Sequence, residues 1–354
     1  VLDSSHIIQG SQVKELEKEL SEYVGVRHCI TCANGTDALQ LGLMAWGIGK
    51  NDIVFVPDFT FFSSGEVVAA VGALPVFVDV QRDTYNIDPQ KLIFAIENVI
   101  KEGTGIPKVI IAVDLFGQPA DYDAIREIAD RYHLYILEDA SQGFGGRIGD
   151  RKACSFGDIS NTSFFPAKPF GCYGDGGAIF TDNDEWAWVL RSLAVHGKGQ
   201  SKYDNIRIGM NSRLDTIQAA ILLAKFPVFL QNELEKSRCL AAFYEKHLNG
   251  LVKIPVIKDG YFSSWAQYTI QLSRDQSRQK LQDALKSEGI PTAVYYQKPM
   301  HKQAAFSNYI YKEDEYPITN ELCTHVLSLP FHPYMELEEA EIVVSKVKEC
   351  LGCL

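Results

Sequence analysis

Lys168 is the residue with the clearest capacity for covalent chemistry in this sequence of 354 residues. It lies in Ser-Phe-Phe-Pro-Ala-Lys-Pro-Phe-Gly-Cys-Tyr-Gly-Asp-Gly-Gly, between a serine hydroxyl and a glycine-rich turn. Burial among such apolar residues lowers the pKa of a lysine and leaves its amine neutral, so that it can form Schiff bases with carbonyl compounds. The alternative is an ordinary surface lysine in a loop, and only further residues suited to the same chemistry decide between the two.

Pyridoxal phosphate (PLP) is a carbonyl cofactor that catalytic lysines hold, and its pyridine nitrogen needs an acidic partner. Asp139 ends the apolar run Leu-Tyr-Ile-Leu-Glu-Asp, which is typical of a buried strand. The carboxyl ends of parallel strands form the edge at which α/β proteins bind ligands. We therefore predict that Asp139 keeps the ring nitrogen protonated, whereas an aspartate considered alone here is more often a helix cap or a loop acid.

A phosphate group and a flat ring also need partners, and three further segments offer them. Gly35 and Thr36 follow an apolar strand and open a helix, so that free backbone N–H groups and the positive helix end meet a phosphate dianion. Ser163 offers a further hydroxyl to the phosphate. Phe61 and the turn at Ser141 are candidates for the two faces of the ring, although a phenylalanine alone is more often a core residue.

The elements that position these residues alternate between strands and helices over the first two thirds of the chain. Apolar runs predict strands at 28–32, 52–56, 74–80, 109–114, 134–137, 161–165 and 178–181. Apolar residues at helical spacing predict helices at 13–24, 36–46, 63–71, 89–100, 121–132, 184–195 and 215–229. Because the strands are apolar on both faces, the pattern predicts an α/β fold with a mostly parallel central sheet covered by helices.

The pattern changes near residue 229, where a charged helix at 233–248 ends the alternation. A half-exposed strand at 267–272 and helices at 276–287 and 337–350 follow it. We therefore predict a large cofactor-binding domain over 1–229 and a smaller C-terminal α+β domain over 230–354.

Composition and spacing argue against several other functions. The formal net charge of −11 opposes binding to nucleic acid, and no apolar run is long enough to span a membrane. The pairs Cys29/Cys32 and Cys350/Cys353 have zinc-like spacing, but residues three apart in a strand point to opposite faces. We expect no metal site, and free thiols in a reducing cytoplasm. A nicotinamide dehydrogenase needs Gly-x-Gly-x-x-Gly after its first strand, where this chain has Gly35 alone.

Taken together, these segments resemble the DegT/StrS-type family of sugar-nucleotide aminotransferases, which have the PLP-dependent transferase fold of type I. The resemblance covers nearly the whole chain. The matching motifs are Asn-Gly-Thr-Asp-Ala-Leu at 34–39, Glu-Asp-Ala at 138–140 with Gln142, the Lys168 segment, Gly-Met-Asn-Ser-Arg-Leu-Asp-Thr-Ile-Gln-Ala-Ala at 209–220, and Tyr296 with His301.

This resemblance implies a role for each residue that would touch the cofactor. Lys168 would bond covalently to the cofactor aldehyde, and Asp139 would hold the pyridine nitrogen. Gln142 would contact the phenolic oxygen of the ring. Thr36 and Ser163 would bind the phosphate group. After release by the amino donor, Lys168 would move the proton between the substrate carbon and the cofactor.

The resemblance also implies an obligate homodimer with shared active sites. Asn211 would reach the phosphate held by the neighbouring subunit, and Arg213 would face the substrate pocket of that subunit. Tyr296 and His301 would bind the substrate. A nucleotide sugar and L-glutamate are the substrates that the family leads us to expect, with pyridoxamine phosphate (PMP) as the intermediate form of the cofactor.

The string from Lys168 to Thr181, with Ser-Leu-Pro-x-His-Pro-Tyr at 328–334, is similar to members that aminate carbon 3 of UDP-2-acetamido-2-deoxy-3-keto-glucuronate for the O-antigen of bacterial lipopolysaccharide. A dTDP-3-keto-6-deoxyhexose stays open as the acceptor, because Tyr295 stands where a histidine often precedes Tyr296. A PLP-fold sugar dehydratase is a further alternative, although such relatives typically replace the lysine with histidine. The last alternative is a noncatalytic ligand-binding protein that kept the fold.

Overall fold

A seven-stranded sheet forms the centre of the computed structural model, which describes residues 1–3, 5–201, 203–309 and 311–352. The strands are, in chain order, β1 (His28–Cys32), β2 (Asp52–Pro57), β3 (Leu74–Val78), β4 (Ile106–Val113), β5 (Tyr135–Asp139), β6 (Arg147–Ile148), β7 (Arg151–Lys152), β8 (Ile159–Ser163), β9 (Gly177–Thr181), β10 (Tyr261–Phe262), β11 (Tyr268–Gln271) and β12 (Val326–Leu329).

The central sheet has the strand order β1-β9-β8-β5-β4-β2-β3. Strands β8, β5, β4, β2 and β3 run parallel to one another, while β9 is antiparallel to both of its neighbours. This confirms the predicted α/β class with a mostly parallel sheet. The carboxyl ends of these five strands, and of β1, which runs in the same direction, lie at one edge, where the polar side chains of the site are found.

Eleven helices surround the strands in the described part of the chain, and several of them begin at a side-chain cap. They are α1 (Ser11–Val24), α2 (Gly35–Ala45), α3 (Ser63–Ala70), α4 (Pro89–Glu102), α5 (Tyr122–Tyr132), α6 (Asp184–Leu193), α7 (Thr216–Val228), α8 (Leu234–Leu248), α9 (Arg278–Ser287), α10 (Pro317–His325) and α11 (Leu337–Cys350). Helix α4 is a clear case: the Asp88 side chain accepts from the Gln90 amide, Pro89 takes the first helical position, and Gly103 ends the helix with φ of 65°.

Two apolar clusters cover the two faces of the sheet. One packs α1, α4, α5 and α7 on the sheet through residues such as Leu16, Leu92 and Leu222. The other packs α2, α3 and α6 through residues such as Leu39 and Val67. Residues that alternate along a strand therefore enter different clusters, as a sheet buried on both faces requires.

A third apolar cluster is built from residues 240–347 of the C-terminal part, around strands β11 and β12 and helices α8, α9 and α11. The predicted domain boundary at 229 falls on a π-helical turn, Phe229–Glu233, which joins α7 to α8 without a loop. Residues such as Met300 and Leu322 pack instead into the cluster of the large sheet. The division into 1–229 and 230–354 stays a prediction.

Each of the four adjacent strands β5, β4, β2 and β3 delivers a buried aspartate to the same edge of the sheet. Asp139 is the last residue of β5, and Asp114, Asp58 and Asp79 directly follow β4, β2 and β3. All four are at most 4% exposed. A buried carboxylate must be hydrogen-bonded or paired, so each of these positions needs a specific partner.

The cysteine pairs are not arranged as a metal site in the described part of the chain. Cys29 enters one face cluster and Cys32 the other, which places them on opposite faces of β1 as predicted. Cys350 ends α11, while Cys353 lies outside the described residues. Among the described residues, no group of three His, Cys, Asp or Glu side chains could hold a metal ion, and none of their helices is long and apolar enough to cross a bilayer.

Candidate active site

A cavity of about 920 Å³ opens at the carboxyl edge of the parallel strands. It brings together residues that are distant in sequence but were predicted to bind one cofactor or its substrate. Those that line it are Gly35, Thr36, Phe61, Asp139, Ser141, Gln142, Ser163, Lys168 and Tyr296. Strands β5 and β8 and helix α2 supply four of the nine, which are Asp139, Ser163, Gly35 and Thr36, and the other five lie in the loops and turns between elements.

Asp139 reaches the cavity as the last residue of β5 and is only 4% exposed. The Ser64 hydroxyl donates to its Oδ2 at 2.9 Å, and the Ser141 amide donates to its Oδ1 at 3.2 Å. Ser64 is itself fully buried and lies 3.2 Å from the Thr60 hydroxyl. These bonds fix the orientation of the carboxylate, as a group that must bind one ring nitrogen requires.

Lys168 lies in the loop between β8 and β9 and lines the same cavity. Its backbone N–H donates to the Phe165 carbonyl at 2.8 Å, which closes a turn around the intervening proline and alanine. Burial of the ammonium lowers the pKa of Lys168, and the nearby carboxylate of Asp139 opposes this in part. A larger fraction of the amine is therefore neutral than for a lysine in water.

Helix α2 begins at the cavity and presents its first backbone amides there. The Asn34 side chain caps the helix by accepting from the Asp37 amide at 2.8 Å, and the Gly35 and Thr36 amides come before the first intrahelical bonds. A Cβ at Gly35 would lie 2.8 Å from Ser163 Cβ and 3.2 Å from Ser141 Oγ. The backbone at Gly35 is thus an anion cradle that any side chain would fill.

Gln142 connects two parts of the chain at the cavity, the turn at Phe116 and the loop that carries Tyr296. Its Oε1 accepts from the Phe116 amide at 2.7 Å, and its Nε2 donates to the Tyr296 hydroxyl at 3.1 Å. The bond to Phe116 fixes which amide atom is the donor, so that Nε2 faces the cavity side. Burial raises the pKa of Tyr296, and the bond from Gln142 lowers it in part. The tyrosine is therefore a neutral hydroxyl at physiological pH.

These residues fit PLP in three separate respects. A carboxylate with a fixed orientation suits the pyridine nitrogen, and a lysine with a lowered pKa suits the aldehyde carbon. The cradle at Gly35 with the Ser163 hydroxyl suits a phosphate dianion. Phe61, whose ring centroid lies 6.4 Å from that of Tyr296, offers an exposed aromatic surface in the same cavity.

Three predicted site residues lie outside this cavity. Asn211 is exposed, and Arg213 lines a separate recess of about 140 Å³ beside Glu17 and Arg191. His301 is fully buried and bonds to Asp58. The cavity of this chain therefore does not use them directly, and their contact with a ligand stays a prediction.

Several residues that line the cavity were not predicted from the sequence. They are chiefly polar residues: Asp37, Asp175, Gln267, Gln297 and Gln303. Ser64, which positions Asp139, was also missed. Its signal is weak, because a serine near the start of a helix is common as a cap. Lys298 is the second lysine of the cavity and gives it another positive charge.

Comparison with known proteins places this architecture in one group. The sequence model that describes the DegT/DnrJ/EryC1/StrS aminotransferase family matches residues 1–348 of this chain. The UDP-2-acetamido-2-deoxy-3-oxo-D-glucuronate aminotransferase of Pseudomonas aeruginosa is 44% identical over 97% of this chain and 92% of its own length. A UDP-N-acetyl-3-dehydro-alpha-D-glucosamine 3-aminotransferase of Acidithiobacillus ferrooxidans is 40% identical over 99% of this chain and 92% of its own.

Solved structures agree with this grouping. A DegT DnrJ EryC1 StrS aminotransferase from Brucella abortus is 48% identical and has a TM-score of 0.96, with 99% of this chain and 93% of that one covered. A Bacillus subtilis protein solved with bound PMP is 31% identical and has a TM-score of 0.90, with 99% of this chain and 80% of that one covered. The fold, the cavity and the full-length match agree: the chain belongs to the DegT/DnrJ/EryC1/StrS family of aminotransferases.

Proposed function

We propose that this protein uses PLP to transfer an amino group from L-glutamate to carbon 3 of a keto sugar nucleotide, with UDP-2-acetamido-2-deoxy-3-keto-glucuronate as the acceptor. The observation that supports this most is the meeting of Lys168 and Asp139 in one cavity of about 920 Å³. The acceptor is inferred from the Pseudomonas aeruginosa relative, whose name states that substrate. The reaction belongs to the synthesis of lipopolysaccharide sugars.

Bound PLP supplies an electron sink for the carbon that loses its proton, and the chain supplies the positioned groups around it. Asp139, held by Ser64, keeps a positive charge on the ring nitrogen, which is the end that must accept the electrons. Lys168 has a neutral Nζ available because burial lowers its pKa. That Nζ would take the proton from the donor α-carbon and deliver it to the cofactor carbon that carried the aldehyde.

The remaining contacts hold the cofactor at its other end. The Gly35 and Thr36 amides and the Ser163 hydroxyl bind the phosphate dianion, where the positive end of helix α2 stabilises it. Gln142 would offer the phenolic oxygen the Nε2 hydrogen that it does not donate to Tyr296, since its Oε1 is already bonded to the Phe116 amide. Asp139 and Gln142 are thus held in direction by fixed partners before substrate arrives.

We further infer a homodimer in which each subunit completes the cavity of the other. The charged side chains that line the cavity are Asp37, Asp139, Asp175, Lys168 and Lys298, which gives three acidic and two basic groups. A phosphate dianion and an acidic sugar nucleotide need more cations than this. The exposed Asn211 and the half-buried Arg213 are available to a partner subunit.

Exposed apolar side chains agree with such an interface. Phe165, Tyr173 and Ile208 are 50%, 73% and 89% exposed, and the first of them lines the cavity. Apolar groups of this size on a surface are typical of subunit interfaces. A cytoplasmic location follows from the proposed substrates, because glutamate and sugar nucleotides are cytoplasmic metabolites.

The acceptor can be tested by spectroscopy on single half-reactions. We expect protein reconstituted with PLP to show a visible absorption band that L-glutamate bleaches. The bleached protein, freed of glutamate, is then mixed with one acceptor at a time: the UDP-3-keto-uronate, its UDP-3-keto-glucosamine analogue, or a dTDP-3-keto-6-deoxyhexose. The band should return fastest with the uronate. Faster return with either of the other sugars would identify that sugar as the acceptor instead. If glutamate does not bleach the band, glutamate is not the donor.

A further inference from the structure

Two loops that are far apart in sequence line the same cavity. The first follows strand β2 and supplies Thr60 and Phe61. The second, residues 295–303, supplies Tyr295, Tyr296 and Lys298 and is here called the wall segment. The wall segment has no regular secondary structure apart from the short turn at Met300–Lys302, so its shape depends on contacts with its surroundings.

A buried pair of side chains, Asp58 and His301, connects these two loops. Both side chains are completely buried. Asp58 Oδ2 lies 2.7 Å from His301 Nδ1 with one proton between them, and the His301 amide donates to Oδ1 at 2.8 Å. The Met300 amide donates to the Asp58 carbonyl at 3.0 Å, while the Asp58 amide donates to the Val78 carbonyl at 2.8 Å. Asp58, which directly follows β2, therefore binds the wall segment at three points and the edge strand β3 at a fourth.

The His301 ring is held on its other sides as well. It stacks on Tyr316 with ring centroids 4.3 Å apart and an interplanar angle of 16°. Its Nε2 lies 3.7 Å from the Glu313 carboxylate, which also pairs with Lys302. Burial raises the pKa of Asp58 and His301 opposes this, as expected for a buried acid that depends on one partner. A side chain enclosed in this way has little freedom to adopt another position.

The row of four buried aspartates at the carboxyl edge of the sheet consists of Asp58, Asp79, Asp114 and Asp139. Comparison with Asp79 shows what is particular to the partners of Asp58. Asp79 accepts from the Ile318 and Thr319 amides and the Thr319 hydroxyl, and so binds the start of helix α10. That contact fixes the C-terminal part of the chain but touches no cavity residue. Only the Asp58 contact in this row binds the wall segment itself, among the residues that the structure describes.

We infer that Asp58 and His301 are positioning residues that hold the wall segment and thereby set the affinity of the site for the sugar nucleotide. This inference rests on the proposed function. The cofactor is expected to depend on the pair much less, because Asp139, Ser163 and the Gly35 cradle lie on β5, β8 and α2. The sugar nucleotide extends beyond the cofactor and needs the wall, where Tyr296 packs at 5.9 Å from Phe59 and at 6.4 Å from Phe61.

The test compares variants of the PLP-loaded protein. His301→Phe keeps a flat ring to stack on Tyr316 but removes the bond to Asp58. We expect it to raise KM for the sugar nucleotide by about tenfold or more, as loss of a hydrogen bond to a charged group does. KM for glutamate should change by less than about threefold, and the visible cofactor band should persist. His301→Asn, whose Nδ2 can replace Nδ1, should restore the sugar KM to near that of the wild type.

Two controls separate positioning from general stability. Thr319→Val removes a bond of comparable burial at Asp79 and should leave both KM values unchanged. Amide hydrogen exchange on the same loaded proteins should show the Met300 and His301 region exchanging about tenfold faster in His301→Phe, because the ring no longer holds the Asp58 carboxylate that accepts from the 301 amide. If His301→Phe does not fold, Asp58→Asn should give the same pattern with a smaller amplitude.

Equal changes in both KM values, or an unchanged sugar KM, would overturn the inference. So would an equal effect of Thr319→Val. Hydrogen exchange needs no turnover, so unchanged exchange at 295–303 in His301→Phe also overturns it even where the acceptor differs from the one proposed. Failure of the wild type to turn over the sugar nucleotide would instead count against the proposed function alone.

Discussion

Gly35→Ala is predicted to weaken binding of PLP by steric exclusion from the phosphate cradle. The added Cβ would lie 2.8 Å from Ser163 Cβ, which is about 0.7 Å short of the ~3.5 Å at which two carbon atoms pack favourably. Ser163 ends the buried strand β8 and cannot move away freely, so the start of helix α2 must shift. Strain of this kind costs about 1–3 kcal/mol in a packed site.

If this strain displaces the backbone of the cradle, the affinity for PLP drops by about 5- to 150-fold, since about 1.4 kcal/mol of binding free energy is a tenfold change in the dissociation constant. The assay is titration of cofactor-free protein with PLP, followed by visible absorption. Gly49→Ala is the matched control, because its nearest neighbour would be the Val71 carbonyl oxygen at 3.7 Å, an ordinary contact distance. Pyridoxal, which has no phosphate, should lose much less affinity than PLP in Gly35→Ala.

A second substitution tests the same contact from the other side. In a Ser163→Gly background the clashing Cβ is absent, so adding Gly35→Ala should cost less than it does in the wild type. An affinity of Gly35→Ala for PLP within twofold of the wild type would refute the steric account. Equal losses for PLP and pyridoxal would refute the assignment of the cradle to the phosphate.

Three further predictions concern the lysine, the aspartate and the subunit contact. Lys168→Ala should remove the visible cofactor band and lower turnover by at least about 10²–10⁴, the usual contribution of a proton-transfer group; full turnover would exclude it as the catalytic lysine. In Asp139→Asn the pKa of Lys168 should fall further, because the Asp139 charge raises it in the wild type. The rate of reductive methylation of Lys168 in the cofactor-free variant should therefore reach its plateau at a lower pH. A shift of the plateau to higher pH would contradict the predicted direction of the pKa change. Mixing Asn211→Ala with Lys168→Ala should recover part of the activity if subunits share sites, whereas dimers shown to have exchanged but still inactive would argue against sharing.

Most of the central sheet was predictable because its strands, with the exception of β8, are short and apolar on both faces. Strand β1 was predicted with the bounds that the structure has, and β2 to within one residue. The predicted strand at 161–165 instead ends at Ser163, and Pro166, which has no N–H to donate to a ladder, follows shortly after. Helix α10 and strand β12 were missed, since they bury their apolar residues through contacts with distant parts of the chain.

The cofactor end of the cavity was predicted better than the substrate end. Asp139 and Lys168 stand out because their neighbours in sequence are also their neighbours in space. Lys298 and Gln303 belong to an irregular loop, and their place in the cavity depends on the contact of that loop with Asp58, 243 residues from His301 in sequence. No local pattern contains such a contact. The contacts of the His301 ring with Asp58 and Tyr316 were not predicted from the sequence either, and its predicted contact with the substrate stays a prediction.

The central claim is that Lys168, and no other lysine, holds the cofactor in this cavity. Borohydride reduction of the PLP-loaded protein fixes the bond between lysine and cofactor, and peptide mass spectrometry then identifies the labelled residue. We predict the label on Lys168 alone, with none in Lys168→Ala. Lys298 lines the same cavity and is the internal control. A label on Lys298, or on both lysines equally in the wild type, would contradict the account.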